Sequence, residues 1–158
     1  MKNYLKTGIG FGITSATITT LGLMIGLYSS TGSRLAVLSG ILIIAVADAL
    51  SDAFGIHMSE ESKGTLSKRE VWLATLSTFL AKLIFASTFI IPVLIFSLPT
   101  ALIVNVVWGL AMLTTLSIVM ARSNKDKVLH VVAEHVILAV CVIVGSYYLG
   151  EFINKFVN

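Results

Sequence analysis

The sequence contains little charge, two prolines and a single cysteine. Asp, Glu, Lys and Arg together make up 12% of its 158 residues, whereas hydrophobic residues make up 56%. With a mean hydropathy of +0.96, this composition lies outside the range of soluble globular domains and predicts an integral membrane protein. The lone Cys141 excludes an internal disulfide, so cysteine usage gives no information on the redox compartment.

The sequence also lacks the motifs of common catalytic sites. It has no His-Glu-x-x-His, no Gly-x-Ser-x-Gly and no Walker lysine motif. A hydrolase built on Asp48 and Asp52 would need carboxylates that face each other, normally from separate helices. The basic residues are dispersed in short loops, which argues against a nucleic-acid partner. We therefore predict a protein that is not an enzyme, carries no cofactor and has the lipid bilayer as its partner.

Five apolar stretches account for most of the chain. They cover about residues 8–28, 35–57, 71–96, 98–120 and 128–150, and each is long enough to cross a hydrocarbon core about 30 Å thick. We expect one all-α domain over residues 1–158, a membrane bundle of five transmembrane helices. Pro92, late in the third stretch, removes a backbone donor and predicts a kink or the end of that helix.

The distribution of lysine and arginine predicts the orientation. An odd number of spans places the termini on opposite sides, and basic residues concentrate on the cytoplasmic side. One side has only Arg34 and Lys155, and a further basic residue, Lys82, lies inside the third span. The other side collects Lys2, Lys6, Lys63, Lys68, Arg69, Arg122, Lys125 and Lys127. We therefore predict a cytoplasmic N-terminus in a multi-pass protein, located in the cell membrane if the protein is prokaryotic.

Two acids interrupt the second span. Asp48 and Asp52 stand four residues apart, so their carboxylates share one helix face. Burying a carboxylate in hydrocarbon costs on the order of 2.5 to 3.5 kcal/mol, so such groups are rarely kept without a partner or a task. One interpretation is a metal site, because carboxylate oxygens suit hard divalent cations. The alternative is an ion pair between Asp48 and Lys82, which would neutralise both charges but explains Asp52 less readily.

Further metal-ligating residue types lie at the cytoplasmic ends of the second and fifth spans. His130 and Glu134 share a helix face, at the depth expected for Asp52 and His57. A convergence of these four side chains would bind a transition metal or relay protons, because imidazole titrates near physiological pH. The alternative is a hydrogen bond between Glu134 and a histidine that only satisfies both groups. The candidate metal ligands are therefore Asp48, Asp52, His57, Glu60, Glu61, His130 and Glu134.

The first span is rich in glycine and hydroxylated residues. Gly8 with Gly12, and Gly22 with Gly26, form two small-xxx-small pairs that let helix backbones approach closely. The first interpretation of these pairs is helix packing. A functional interpretation adds hydroxyl and carbonyl groups that line a path for a hydrated cation. The pairs also favour a homodimer that forms through the first helix.

Two segments resemble the vacuolar iron transporter family of iron and manganese exporters. They are the glycine- and threonine-rich residues 12–22 of the first span, and residues 47–51 of the second span with Ser59 and Ser62. The second span of the family reads similarly, with Ala-Asp-Gly-x-Ser-Met and then a serine-containing exit. Five spans with a cytoplasmic N-terminus also match the family, and agreement over spans three to five is mainly in length and hydropathy.

The resemblance implies a homodimer whose cation path runs between the first two helices of each subunit, driven by proton exchange. The family's aspartate in the first span falls on Phe11, and its methionine in the second span falls on Asp52. Its glutamate-rich cytoplasmic insert is reduced to about residues 60–70, so a metal-loading domain is absent and Asp48 is the site residue that carries over. An aspartate in place of a thioether favours a harder ion such as Mn²⁺ or Mg²⁺.

Three functions are compatible with these features. The first is a transporter of divalent cations, Fe²⁺ or Mn²⁺, with Asp48 and Asp52 in the path and the cytoplasmic group as a mouth or proton relay. The second is a non-transporting membrane scaffold whose polar side chains are tied up in interhelical bonds. The third, a proton-coupled carrier for a small organic solute, needs a larger midplane cavity than these spans indicate. Contact between Lys82 and Asp48, without a polar cavity beside Asp52, would favour the scaffold.

Overall fold

Five long helices joined by short loops confirm the predicted all-α membrane bundle. The computed structural model describes residues 2–157, and no strand occurs within them. Each helix is long and apolar enough to cross a membrane, so the chain is an integral multi-pass membrane protein. The five spans are Asn3–Thr31, Arg34–Lys63, Lys68–Ile95, Leu98–Asn124 and Val128–Val157.

Two of the spans are composite. The first, fourth and fifth spans are the single helices α1 (Asn3–Thr31), α6 (Leu98–Asn124) and α7 (Val128–Val157). The second span consists of α2 (Arg34–Ile43), a π-helical turn (Ile44–Asp48) and α3 (Ala49–Lys63). The third span consists of α4 (Lys68–Thr88) and α5 (Ile90–Ile95).

Several helices extend beyond the apolar stretches predicted from the sequence. The reason is that polar residues continue a helix through the headgroup region until a cap ends it. Gly32 and Gly64 adopt left-handed conformations with φ of 60° and 64°, and they terminate α1 and α3. The side chains of Ser33 and Ser67 then accept hydrogen bonds from the first turns of α2 and α4.

Helix α1 lies at the centre of the bundle. It packs against α2, α4, α6 and α7, and its glycines make the closest of these approaches possible. A Cβ added at Gly12 would stand 2.7 Å from the carbonyl oxygen of Thr78, and one at Gly22 would stand 2.7 Å from Val142. The helix-packing interpretation of the small-residue pairs is therefore confirmed, and their partners are helices of the same chain.

The third span breaks where Pro92 predicts it. Pro92 has no amide hydrogen to donate to the carbonyl of Thr88, and its ring crowds that carbonyl; α4 ends at Thr88. Polar side chains of α6 support the break. The Asn105 amide donates to the Phe89 carbonyl at 3.0 Å, and the Trp108 indole donates to the Thr88 hydroxyl at 3.0 Å.

Candidate functional site

Four polar side chains meet near the middle of three neighbouring spans. Asp48 stands 14 residues after Arg34 and 15 before Lys63, so it divides the second span into equal halves. Lys82 stands 14 residues after Lys68 and 13 before Ile95 in the third span. At a rise of 1.5 Å per residue, each lies about 20 Å from either end of its helix. Position along the helices therefore places this charged group near the bilayer midplane.

The ammonium of Lys82 is the centre of the cluster. Lys82 Nζ donates to Asp48 Oδ2 at 2.6 Å, to Asp52 Oδ2 at 2.5 Å and to Ser15 Oγ at 2.8 Å. Ser15 Oγ in turn donates to Asp52 Oδ2 at 2.5 Å. The Lys82 side chain has no exposed surface, and three acceptors satisfy its three hydrogens. We name Ser15, Asp48, Asp52 and Lys82 the midspan cluster.

The two carboxylates are less enclosed than the lysine. The side chain of Asp48 is 37% exposed and that of Asp52 is 20% exposed. Within residues 2–157, both accept hydrogen bonds through Oδ2 alone, which leaves each Oδ1 free. A Cβ added at Gly55, one turn beyond Asp52, would meet no atom within 4 Å. The midspan cluster is thus closed around the ammonium and open beside the carboxylates.

The charge of the midspan cluster follows from its composition. With both acids ionised and the lysine protonated, it carries one net negative charge. Oxygen atoms of carboxylates are ligands for hard divalent cations such as Mn²⁺ and Mg²⁺. The free Oδ1 atoms of Asp48 and Asp52 could therefore accept such a cation without prior loss of the bonds to Lys82.

A π-helical turn ends at Asp48 and helps to aim both acids. One row of buried residues in the second span recurs every four positions, at Val37, Ile41, Ala45, Ala49 and Ala53, with Gly40 and Ile44 buried beside it. In an uninterrupted α-helix, each four-residue step would rotate the buried face by about 40°. The π-helical turn at Ile44–Asp48 holds more residues per turn and absorbs part of this rotation. As a result, both halves of the span keep one face toward the bundle.

Close contact between α1 and α4 brings Ser15 and Lys82 together. A Cβ at Gly12, one turn before Ser15, would lie 2.9 Å from the Ala81 Cβ and 3.2 Å from the Lys82 backbone nitrogen. Only glycine leaves room for this approach. Gly12 therefore controls the distance at which Lys82 meets the polar face of α1.

The residues predicted at the cytoplasmic end of the second span have local partners. His57 Nδ1 lies 2.9 Å from the Thr75 hydroxyl, and its ring packs edge-on to Trp72 with centroids 4.5 Å apart. The His57 Nε2 atom is 3.9 Å from Glu61, which is largely exposed. Glu60 is buried and pairs with Lys63 at 2.6 Å. These contacts tie the end of α3 to itself and to α4.

The predicted convergence of Asp52, His57, His130 and Glu134 is wrong for a single chain. His130 and Glu134 are exposed on α7, which packs against α1 and α6, whereas α3 packs mainly against α4. Among residues 2–157, no three His, Cys, Asp or Glu side chains lie close enough to hold a metal ion together.

The predicted hydrogen bond between Glu134 and a histidine is likewise not found among residues 2–157. His135 instead faces Ser117, with Nδ1 and Oγ 3.0 Å apart. The histidine at the start of α7 that has a polar partner thus bonds to α6, the neighbouring helix in the chain.

The predicted alternative, an ion pair between Lys82 and Asp48, is present, and Lys82 makes two further contacts that the sequence did not predict. Asp52 also binds Lys82, and Ser15 bridges the two. One signal for Asp52 was present, because two acids four residues apart lie within reach of a single long lysine side chain. Ser15 gave no such signal, since many hydroxyls line α1 and helix packing decides which of them faces α4.

Comparison with known proteins identifies no relative: no family model, no curated protein and no solved structure matches this chain. The resemblance to the vacuolar iron transporter family stays a prediction.

Proposed function

We propose that the chain transports divalent metal cations of the Fe²⁺ and Mn²⁺ class, and that the cation binds at Asp48 and Asp52. The observation that carries this proposal is the pair of free Oδ1 atoms on partly exposed carboxylates at midspan. A net negative cluster that faced acyl chains would be costly, because charged side chains at the bilayer centre are strongly disfavoured. A face that admits water or a cation removes that cost.

Lys82 acts in this proposal as a tethered cation that occupies the carboxylates when no metal is bound. A divalent ion at the two Oδ1 atoms would change the net charge of the midspan cluster from −1 to +1. Loss of one proton from the loaded cluster would then bring its net charge to zero. Charge balance therefore couples metal binding to proton release, and metal release to proton uptake.

The proposed assembly is a homodimer with cytoplasmic N-termini. The basic residues of the loops support this orientation through the positive-inside rule. The glycine pairs of α1 contact α4 and α7 of their own chain, so they supply no dimer interface. The open side of the second span, at Ser51 and Gly55 beside the acids, is the face that a second copy would cover, and this would shield the carboxylates from lipid.

The alternative is a non-transporting membrane scaffold, and one observation favours it. Lys82 is completely buried and donates three hydrogen bonds to side chains of the first and second spans. Such a group ties α1, α3 and α4 together without any need for an ion. The two functions differ in whether the free Oδ1 atoms ever receive a cation.

Uptake of Mn²⁺ and Fe²⁺ into proteoliposomes with a pH gradient distinguishes the two functions. The transporter predicts uptake that Asp52→Ala reduces at least tenfold while the variant still folds and dimerises. Glu151→Gln is a matched control, because Glu151 is exposed on α7 and distant in sequence from the midspan cluster. Wild-type uptake no greater than that of empty vesicles, or unchanged uptake by Asp52→Ala, would support the scaffold instead.

A further inference from the structure

A groove separate from the midspan cluster lies between the first turns of α1 and the last turns of α6. Its volume is about 510 Å³. Its polar end is formed by Asn3, Lys6 and Ser123, and its apolar end by Leu116, Val119 and Met120. From Asn3 to Gly10 the lining extends about 10 Å along the α1 axis, at 1.5 Å per residue. The groove thus runs from the end of the bundle along α1 toward the middle of the membrane span.

The polar end of the groove offers a positive charge. Lys6 is exposed and donates a hydrogen bond to the Ser123 hydroxyl at 3.1 Å. No carboxylate within residues 2–157 lies within 4 Å of its ammonium, and none of the lining residues is acidic. Outside the lining, the chain around Ser123 holds Arg122, Lys125 and Lys127 against Asp126, which leaves residues 122–127 with a net charge of +2. An anionic group would find both a charge and hydroxyl and amide donors here.

The other end of the groove is an apolar shelf. Val119 is 60% exposed and Met120 is 38% exposed. Both face outward from a span that is long and apolar enough to cross the membrane. In a bilayer, this shelf would lie just below the headgroups, where lipid chains begin. The groove is charged at its outer end and apolar deeper in the membrane. A phospholipid has the same order, with its headgroup outside and its acyl chains below.

We propose that this groove binds one anionic phospholipid from the leaflet at which α1 begins. The lipid phosphate lies against Lys6 and Ser123, and the upper part of an acyl chain lies along Val119 and Met120. Charge complementarity selects the occupant, because juxtamembrane lysines attract anionic headgroups and a zwitterionic lipid lacks the net charge. This site is independent of the proposed transport function.

Native mass spectrometry of the full chain tests this site, in detergent that contains equal amounts of phosphatidylglycerol and phosphatidylcholine. We expect one phosphatidylglycerol per chain to be retained preferentially. Lys6→Gln should lower the ratio of bound phosphatidylglycerol to phosphatidylcholine about fivefold, as expected for the loss of one lysine at the membrane surface. The control Lys68→Gln removes an exposed lysine on the same side, outside the groove, and should leave the ratio unchanged.

A second pair of variants tests the apolar shelf. Val119→Trp should reduce the binding of both lipids by filling the shelf, whereas Val107→Trp, at an exposed position elsewhere on α6, should not. Equal losses in Lys6→Gln and Lys68→Gln, or no loss in Lys6→Gln, would overturn the proposal. Displacement of the lipid by soluble glycerol phosphate would identify a headgroup site without an acyl shelf. If the wild type forms dimers without bound lipid and Val119→Trp dissociates them, the occupant of the groove is a second copy of the chain.

Discussion

Replacement of Lys82 by methionine removes the cation that holds Asp48 and Asp52 together. Both Oδ2 atoms lie within 2.6 Å of the same nitrogen, so they are at most about 5 Å apart. At that separation and an effective dielectric constant of about 20, two negative charges repel by about 3 kcal/mol. Removal of one partner from a buried ion pair typically costs about 3 to 5 kcal/mol. Because the carboxylates are partly exposed, we expect a loss of about 3 kcal/mol.

Thermal unfolding in detergent, followed through Trp72 and Trp108, measures this loss. For a protein of this size, about 3 kcal/mol corresponds to a melting temperature lowered by roughly 6–12 °C. The double variant Lys82→Met with Asp52→Asn removes the repulsion and should recover most of the loss. Lys155→Met, at an exposed position near the end of α7, is the control and should melt within about 2 °C of the wild type.

Two results would refute the electrostatic reasoning. One is a Lys82→Met variant as stable as Lys155→Met, which would mean that the ammonium contributes little to the bundle. The other is a double variant no more stable than Lys82→Met alone. In that case lost packing of the lysine stem, rather than repulsion between Asp48 and Asp52, would account for the destabilisation.

Two further predictions concern the packing of α1 and the open face of the second span. Gly12→Ala should destabilise the bundle by about 1 to 3 kcal/mol, because its Cβ would stand 2.7 Å from the Thr78 carbonyl oxygen. Gly55→Ala meets no atom within 4 Å and should be neutral or stabilising. Equal melting temperatures for the two variants would contradict the packing role of Gly12. In a Cys141→Ser background, Ser51→Cys should form disulfide-linked dimers on oxidation and Tyr148→Cys should not; the reverse pattern would place the dimer interface on α7.

Much of the fold could be predicted because hydropathy reports membrane spans directly. The five apolar stretches and the break near Pro92 depend on local composition and on backbone chemistry, so they are readable without tertiary contacts. The pairing of Asp48 with Lys82 was readable as an alternative, because depth along two helices can be counted from their ends. Each of these inferences uses only one helix or the bilayer as its reference.

The rest depends on how the helices pack. The π-helical turn at Ile44–Asp48 has no local sequence signal, since it compensates for a four-residue repeat of buried positions that only the assembled bundle defines. Helix α7 lies on a side of the bundle where His130 and Glu134 are separated from α3. Residues at equal depth on different helices need not be neighbours, so depth alone could not predict this separation. Ser15 joins the midspan cluster because Gly12 admits α4, which is likewise a property of the packed helices.

Titration of the purified protein with Mn²⁺, followed by electron paramagnetic resonance in weakly buffered solution, tests the central claim most directly. We predict one bound Mn²⁺ per chain, accompanied by proton release that lowers the pH of the solution. Combining Asp48→Asn with Asp52→Asn should abolish both the Mn²⁺ binding and the proton release. Absence of Mn²⁺ binding to the wild type, or equal binding by the double variant, would contradict a cation site at these carboxylates.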